Sequence, residues 1–129
     1  IDVLKLVRCD VIKADVEGYE ERVIRGATDT LRRLKPALFI ENNRPEHSKG
    51  IYDALAAVGY LSFWHIARYY NPKNFFGNKT NVFEQYVPEA NVLCLHQDDP
   101  RVKDVALPAV KGPEDVWERA WRAQRAVTV

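Results

Sequence analysis

Carboxylate side chains at the point where a buried strand ends can hold a polar ligand or act on a proton. Asp15 and Glu17 lie at such a point near the N-terminus, and Gly18 after them permits a sharp turn. The apolar residues that predict this strand, covered on both faces, are Val11, Ile12, Ala14 and Val16. Because ligands of open α/β sheets bind at the carboxyl ends of the strands, the two acids are candidates for a site. The alternative is that they only begin a helix, where acids are common.

A third acid and a histidine fall at the ends of later strands. Glu41 closes the apolar segment 37–40, so its carboxylate should lie near the first two acids; the alternative is a solvated loop acid. His65 lies late in a third strand-like segment and is a candidate general base. A lone histidine at such a position can equally be a core or edge residue.

Polar side chains that follow these strands could hydrogen-bond a polar acceptor such as a sugar. The candidates for binding an acceptor are Asn42, Asn43, Tyr70, Asn74 and Asn81. The alternative for the asparagines is that they form turns, because their side chains readily bond the nearby backbone.

Alternating strand and helix patterns must position all these residues. The pattern predicts an α/β fold with a parallel, doubly wound sheet, whose last strand pairs antiparallel. Gly26 and a Thr-Asp-Thr cluster can break the first helix in two, with Thr28 capping the second piece. The predicted strands are residues 10–15, 37–40, 60–66 and 91–96, and the predicted helices are residues 19–34, 48–58 and 113–126.

Residues 67–90 form a connection that is long for a loop and rich in aromatic residues and asparagines. Loops beyond about 12 to 15 residues are usually functional or disordered, and the aromatic content argues against disorder. We expect this loop to emerge at the same edge as Asp15 and Glu41 and to cover them. Phe75, Phe76 or Tyr70 should then be partly buried against the sheet.

Composition limits the classes of function. The chain has 129 residues, 47% of them hydrophobic, which fits one globular domain or part of one. Its net charge of +1 gives no sign of a nucleic-acid or membrane partner. No apolar run approaches the roughly 20 residues of a membrane span, and the first residues are not a signal peptide. The default compartment is the cytoplasm.

Residues 12–20 (IKADVEGYE), followed by residues 23–27 (VIRGA) and the strand 35–41 that ends in Glu41, resemble the central motif of FkbM-type methyltransferases. The resemblance covers about residues 1–100. It implies a Rossmann-like class I methyltransferase sheet and methyl transfer from S-adenosylmethionine to a hydroxyl oxygen of a small molecule or saccharide. It also implies that Asp15 and Glu17 hold the methionine end of the donor or the acceptor hydroxyl.

The glycine-rich turn that holds the donor in that fold is not found, since the six glycines are isolated from one another. We therefore predict that residues 1–112 are the C-terminal half of a methyltransferase domain and residues 113–129 its closing helix. Alone, the chain should not bind S-adenosylmethionine measurably. The flank of residues 10–15 should be covered by another chain, which would make a homo-oligomer.

Two other functions stay open at this stage. Asp15, Glu17 and Glu41 could together chelate a hard cation such as magnesium in a divalent-metal-dependent transferase. The chain could also be a non-catalytic half-domain.

Overall fold

The computed structural model describes residues 1–86 and 88–126. The strands are β1 (Val11–Ala14), β2 (Ala37–Glu41), β3 (Tyr60–Ala67) and β4 (Glu89–His96). The α-helices are α1 (Glu20–Arg25), α2 (Thr28–Leu34), α3 (Pro45–Ala56) and α4 (Trp117–Ala126). Short 3₁₀ helices cover Asp2–Leu4 and Pro100–Asp104. The end of the predicted C-terminal unit, residues 127–129, lies outside the described residues.

The four strands form one mixed sheet in the order β1-β2-β4-β3. β1 and β2 are parallel, whereas β4 is antiparallel to both β2 and β3. The first three strands therefore run in one direction, and the last strand lies between two of them in the opposite direction. The predicted α/β class and the antiparallel final strand are confirmed.

The hydrophobic core lies on one face of the sheet. Strand register places Leu38, Val92 and Trp64 on this face, where they pack with Leu31 and Leu55 of the helices. Residues of all four α-helices belong to this single core. The predicted doubly wound arrangement, with helices on both faces, is thus realised on one face only within residues 1–86 and 88–126.

β1 differs from its prediction as a strand buried on both faces. Val11 is 65% exposed, Lys13 is exposed, and only Ala14 is buried. The reason is its place at the edge of the sheet, with β2 on one side and the helices on one face only. The apolar residues of β1 predicted a covered strand, but no element among the described residues covers its second face.

The first helical segment breaks in two at Gly26 and Ala27, as predicted. Thr28 is nevertheless not the cap, because its hydroxyl donates back to the Arg25 carbonyl at 2.8 Å. The cap is Asp2, whose carboxylate accepts hydrogen bonds from the amides of Asp29 (2.9 Å) and Thr30 (2.8 Å). This contact spans 27 and 28 residues of sequence, which hides it from any local pattern.

The closing helix α4 begins at Trp117, four residues after the predicted start at Pro113. Residues before it form a turn in which the buried Asp115 accepts hydrogen bonds from the Lys111 amide and the Trp64 indole. Trp117 is buried, and Trp121 packs partly buried against the same core, as the spacing predicted. No helix among the described residues has both the length and the apolar character needed to cross a membrane.

The loop between β3 and β4 emerges at the carboxyl edge of the parallel strands, as predicted. The predicted cover over Asp15 is wrong, because β2 separates β1 from the strands that carry the loop and the Asp15 side chain is 44% exposed. The predicted burial of the loop against the sheet is wrong for two residues: Phe75 is 96% exposed and Phe76 is 83% exposed. Tyr70 is half-buried, and its hydroxyl donates to the Asn78 carbonyl within the loop. The middle of this loop hydrogen-bonds within itself and not to the sheet, so the Phe75 and Phe76 rings are exposed to solvent.

Candidate functional site

The turn from β1 into α1 is built by Glu20. Its buried carboxylate accepts hydrogen bonds from the Val16 amide at 2.9 Å and from the Gly18 amide at 3.3 Å. A carboxylate that reaches back in this way satisfies amides that a helix start leaves unpaired. Glu20, and not Glu17, therefore caps the start of the helix, and the Glu17 carboxylate takes no part in the cap.

Glu17 and Gly18 both have backbone conformations that L-residues rarely adopt. Glu17 has φ of +53° and Gly18 has φ of +96°. A Cβ atom on Gly18 would lie 2.9 Å from Cε1 of His47, so the imidazole ring would have to shift to admit a side chain there. Positive φ at a residue other than glycine costs free energy and is often found at functional sites. The strained turn holds the Glu17 side chain out from the strand tip.

Asp15 and Glu17 are each in an ion pair at the surface. Lys13 Nζ lies 2.6 Å from Asp15 Oδ2, and an Arg44 terminal nitrogen lies 2.6 Å from Glu17 Oε2. The side chains are 44% and 77% exposed, respectively, so these pairs contribute little to stability. Both carboxylates remain accessible to a ligand that offers a positive charge in place of the lysine or arginine.

Glu41, Asn91 and His65 form one row across three neighbouring strands. Asn91 pairs with Glu41 on β2 and with His65 on β3, and directly opposed residues point to the same face of a sheet. Asp15 follows Ala14, which pairs with Ile40, and so comes next to Glu41 at the end of β1. The sequence-predicted Asp15, Glu41 and His65 are thus brought to one edge and one face.

Asn91 is a member of this row that the sequence did not suggest. It is buried, at 6% exposure, between an acid and a histidine. It begins a predicted strand, where an asparagine looks like the end of the preceding loop. The signal that could have found it is the antiparallel register of the last two strands, which sets it opposite His65.

The pKa of Glu41 is shifted upward in the folded protein. Burial raises its pKa, and the negative charges of Asp15, Glu89, Glu17 and Glu20 raise it further. The Asn43 side-chain amide donates a hydrogen bond to Glu41 Oε1 at 2.7 Å. A carboxyl group that holds its proton more readily than usual can donate a hydrogen bond as well as accept one.

His65 has a ring nitrogen ready for a partner. Its Nδ1 is buried without a hydrogen-bond partner in the described structure. The ring lies edge-on to Phe39, with 5.3 Å between the ring centroids. Buried polar atoms are normally paired, so an unpaired nitrogen next to a candidate site is one that a ligand could use.

Most of the predicted acceptor-binding asparagines form hydrogen bonds with residues close to them in sequence. Asn42 is buried, and its side-chain oxygen accepts a hydrogen bond from the Ser48 hydroxyl at 2.8 Å. Asn74 bonds the backbone of Asn71 and Asn78, and Asn81 accepts from the Phe83 amide. These bonds are those of turn-forming asparagine, the alternative that the sequence left open.

A cleft of about 480 Å³ lies between the long loop and α4. It is lined by two of the predicted acceptor-binding residues, Tyr70 and Asn81, and by Tyr69. The Tyr69 hydroxyl donates to Glu89 at 2.8 Å, and this bond, more than the nearby charge of Glu41, raises the Tyr69 pKa. Tyr69 therefore connects the cleft to Glu89, which begins β4 two residues before Asn91.

The three carboxylates do not form a metal site. Across residues 1–86 and 88–126, no three or more histidine, cysteine, aspartate or glutamate side chains are grouped so that they could hold a metal ion. Instead, Asp15 and Glu17 lie where each can pair with a cation of its own. The chelate considered from the sequence has no geometric support.

Comparison with known proteins finds one family model that matches the segment carrying the three acids. Residues 2–62, slightly less than half of the chain, match the model of the methyltransferase FkbM domain. The resemblance to the FkbM-type methyltransferases is confirmed over this segment, which runs from the first 3₁₀ helix into β3 and includes Asp15, Glu17 and Glu41. No curated protein and no solved structure matches the chain significantly.

Proposed function

We propose that this chain is part of an S-adenosylmethionine-dependent methyltransferase that acts on a hydroxyl oxygen of a small molecule or saccharide. The observation that carries the proposal is the meeting of three motif acids, Asp15, Glu17 and Glu41, at the carboxyl edge of the sheet, within the segment that matches a methyltransferase family. The sheet, with parallel strands and a final antiparallel strand, fits the C-terminal half of a Rossmann-like class I domain.

S-Adenosylmethionine, when bound, supplies a methyl group on a positively charged sulfur. Asp15 and Glu17 are suited to the methionine end of such a donor, because their present partners are the cationic groups of Lys13 and Arg44. A bound ammonium group could replace either one. The strained backbone at Glu17 keeps its carboxylate in place for that contact.

Methyl transfer to a hydroxyl group requires that the oxygen be oriented and its proton be removed. Asn91 and Glu41 lie side by side on one face and could hydrogen-bond the acceptor hydroxyl. We assign His65 the removal of the hydroxyl proton as the methyl–sulfur bond of the donor is exchanged for a methyl–oxygen bond; its Nδ1, buried without a hydrogen-bond partner in the described structure, would have to become accessible to the acceptor. The cleft lined by Tyr70 and Asn81 is the space that we assign to the remainder of the acceptor.

The test is incorporation of a labelled methyl group by a complete domain that carries this chain. We expect Glu41→Gln and His65→Gln to lower turnover by about 10²- to 10⁴-fold, the usual worth of acid–base groups. Asp10→Asn is the matched control, because Asp10 precedes the opposite end of β1 and its carboxylate forms an exposed ion pair with Arg8. Turnover that is equal in the two site variants and the control would contradict the assignment.

The same proposal covers partners and location. The open flank of β1 is suited to pairing with another strand, either from a second copy of the chain or from the donor-binding half of the domain. Nothing in the composition favours a nucleic-acid partner, and we propose a cytoplasmic protein.

A further inference from the structure

A narrow turn in the long loop presents two phenylalanine rings to solvent. Phe75 is 96% exposed and Phe76 is 83% exposed, and their rings stand edge to face with centroids 5.3 Å apart. Single exposed apolar side chains are common, but two large neighbouring rings at this exposure are not. We call residues 71–79 the phenylalanine tip.

The phenylalanine tip is braced from inside by its own polar groups. The Asn74 side-chain nitrogen donates to the carbonyls of Asn71 (3.0 Å) and Asn78 (2.7 Å), and its oxygen accepts from the Asn78 amide (3.0 Å). Gly77, with φ of +65°, closes the turn. The bonds that hold the turn point inward, so the rings are held outward in a shape that needs little further ordering on binding.

The charge around the tip is of one sign. Lys73 and Lys79 flank the two rings, and no acidic residue occurs from Tyr69 to Val82. Both lysines are exposed, and neither forms an ion pair with any part of the chain that the structure describes. A net charge of +1 for the whole chain conceals this local pattern, because acids elsewhere balance it.

We propose that the phenylalanine tip binds the surface of an anionic lipid bilayer, with Phe75 and Phe76 in the interface and Lys73 and Lys79 on the headgroups. Aromatic rings on one side and lysines beside them are the combination that peripheral membrane segments use. Each lysine near an anionic surface contributes about 1 kcal/mol. The inference stands independently of the proposed methyl transfer.

The small size of the tip favours a lipid surface over a protein partner. Two phenylalanine side chains offer about 150–250 Å² each. A stable protein interface needs about 800 Å² from each partner. A projecting turn can instead enter a fluid interface without a matching surface. The tip also emerges from the same edge as Asp15 and Glu41, so binding would hold that edge at the membrane.

The experiment is co-sedimentation of the protein with vesicles of phosphatidylcholine alone and of phosphatidylcholine with phosphatidylserine. We expect binding to the anionic vesicles and little to the neutral ones. The double variant Lys73→Gln/Lys79→Gln should weaken anionic binding about 30-fold, which is about 2 kcal/mol for two lysines. Phe75→Ser/Phe76→Ser should weaken it by at least about 10-fold, because apolar area no longer leaves water.

Two control variants separate the tip from general surface effects. Val7→Ser changes another apolar side chain, 93% exposed, and Lys103→Gln removes an exposed lysine far along the chain. Both should bind the vesicles as the parent protein does, and circular dichroism should show all four proteins folded. Equal binding to neutral and anionic vesicles, or tip variants that bind like the controls, would overturn the proposal. So would a shift in oligomeric state with the phenylalanine variant and no vesicle binding by the parent.

Discussion

Among single residues, three neighbours in the turn after β1 have different structural functions. Glu20 closes the turn, Gly18 allows it to pass close to His47, and Glu17 is left at the strand tip with a positive φ. A helix-start acid and a site acid have the same residue type, and only the structure separates them. The motif pointed to the right turn but not to the residue that builds it.

Gly18→Ala should destabilise the protein more than Gly77→Ala does. Both glycines have positive φ, which costs an L-residue about 1–2 kcal/mol. At Gly18 the new Cβ would also lie 2.9 Å from the His47 ring, whereas nothing lies within 4 Å at Gly77. Denaturant unfolding measures the difference. Equal losses in the two variants would mean that the close approach to His47 does not exist.

Glu41 should make stability fall as pH rises. Its pKa is raised in the folded state, mainly by burial, so the folded protein holds the proton more tightly than the unfolded chain. The contribution is complete below the ordinary glutamate pKa of 4.5 and is lost as pH rises through the higher folded value. Glu41→Gln should therefore gain stability relative to the parent protein between low and neutral pH. A difference in the free energy of unfolding between the variant and the parent protein that stays constant with pH would contradict this.

Among helices and strands, contacts between residues far apart in sequence determine the caps, the burial and the helix starts that local patterns did not predict. The break between α1 and α2 was readable from Gly26, but the cap comes from Asp2, far earlier in the chain. The pattern of β1 predicted burial, while its edge position leaves Val11 exposed. Pro113 predicted a helix start, yet the buried Asp115 holds a turn there and α4 begins at Trp117.

The Asp2 cap yields a pH-dependent test. Backbone hydrogen bonds from Thr30 and then Asp29 lower the Asp2 pKa in the folded state. Its contribution is present above the unfolded aspartate pKa and is lost as pH falls through the lower folded value. Asp2→Ala should lower Tm at neutral pH, and the gap from the parent should close in acid. Asp10→Ala, also near the N-terminus but in an exposed ion pair with Arg8, is the control and should change Tm little.

At the scale of the whole molecule, the sequence predicted the class of fold and the edge where the candidate site lies. Strand and helix periodicity sufficed for the four strands, and the acids at strand ends marked the carboxyl edge. The sequence did not predict which residues of the loop 67–90 line the cleft. Asparagines such as Asn74 instead hydrogen-bond the backbone of their own turn. Asn91 was missed because its role depends on register between strands.

We propose that Asp15 and Glu17 are one part of a donor site and that other residues of a complete domain supply the rest, because the six isolated glycines here form no glycine-rich turn. Isothermal titration calorimetry with S-adenosylmethionine tests this most directly. We predict no measurable heat of binding for residues 1–129 alone and clear binding for a complete domain that carries them. In that domain, loss of a charged contact in Asp15→Asn or Glu17→Gln should weaken binding by about 1.5–3 kcal/mol, with Asp10→Asn unchanged. Tight, stoichiometric binding to residues 1–129 alone, or full affinity in both site variants, would contradict it.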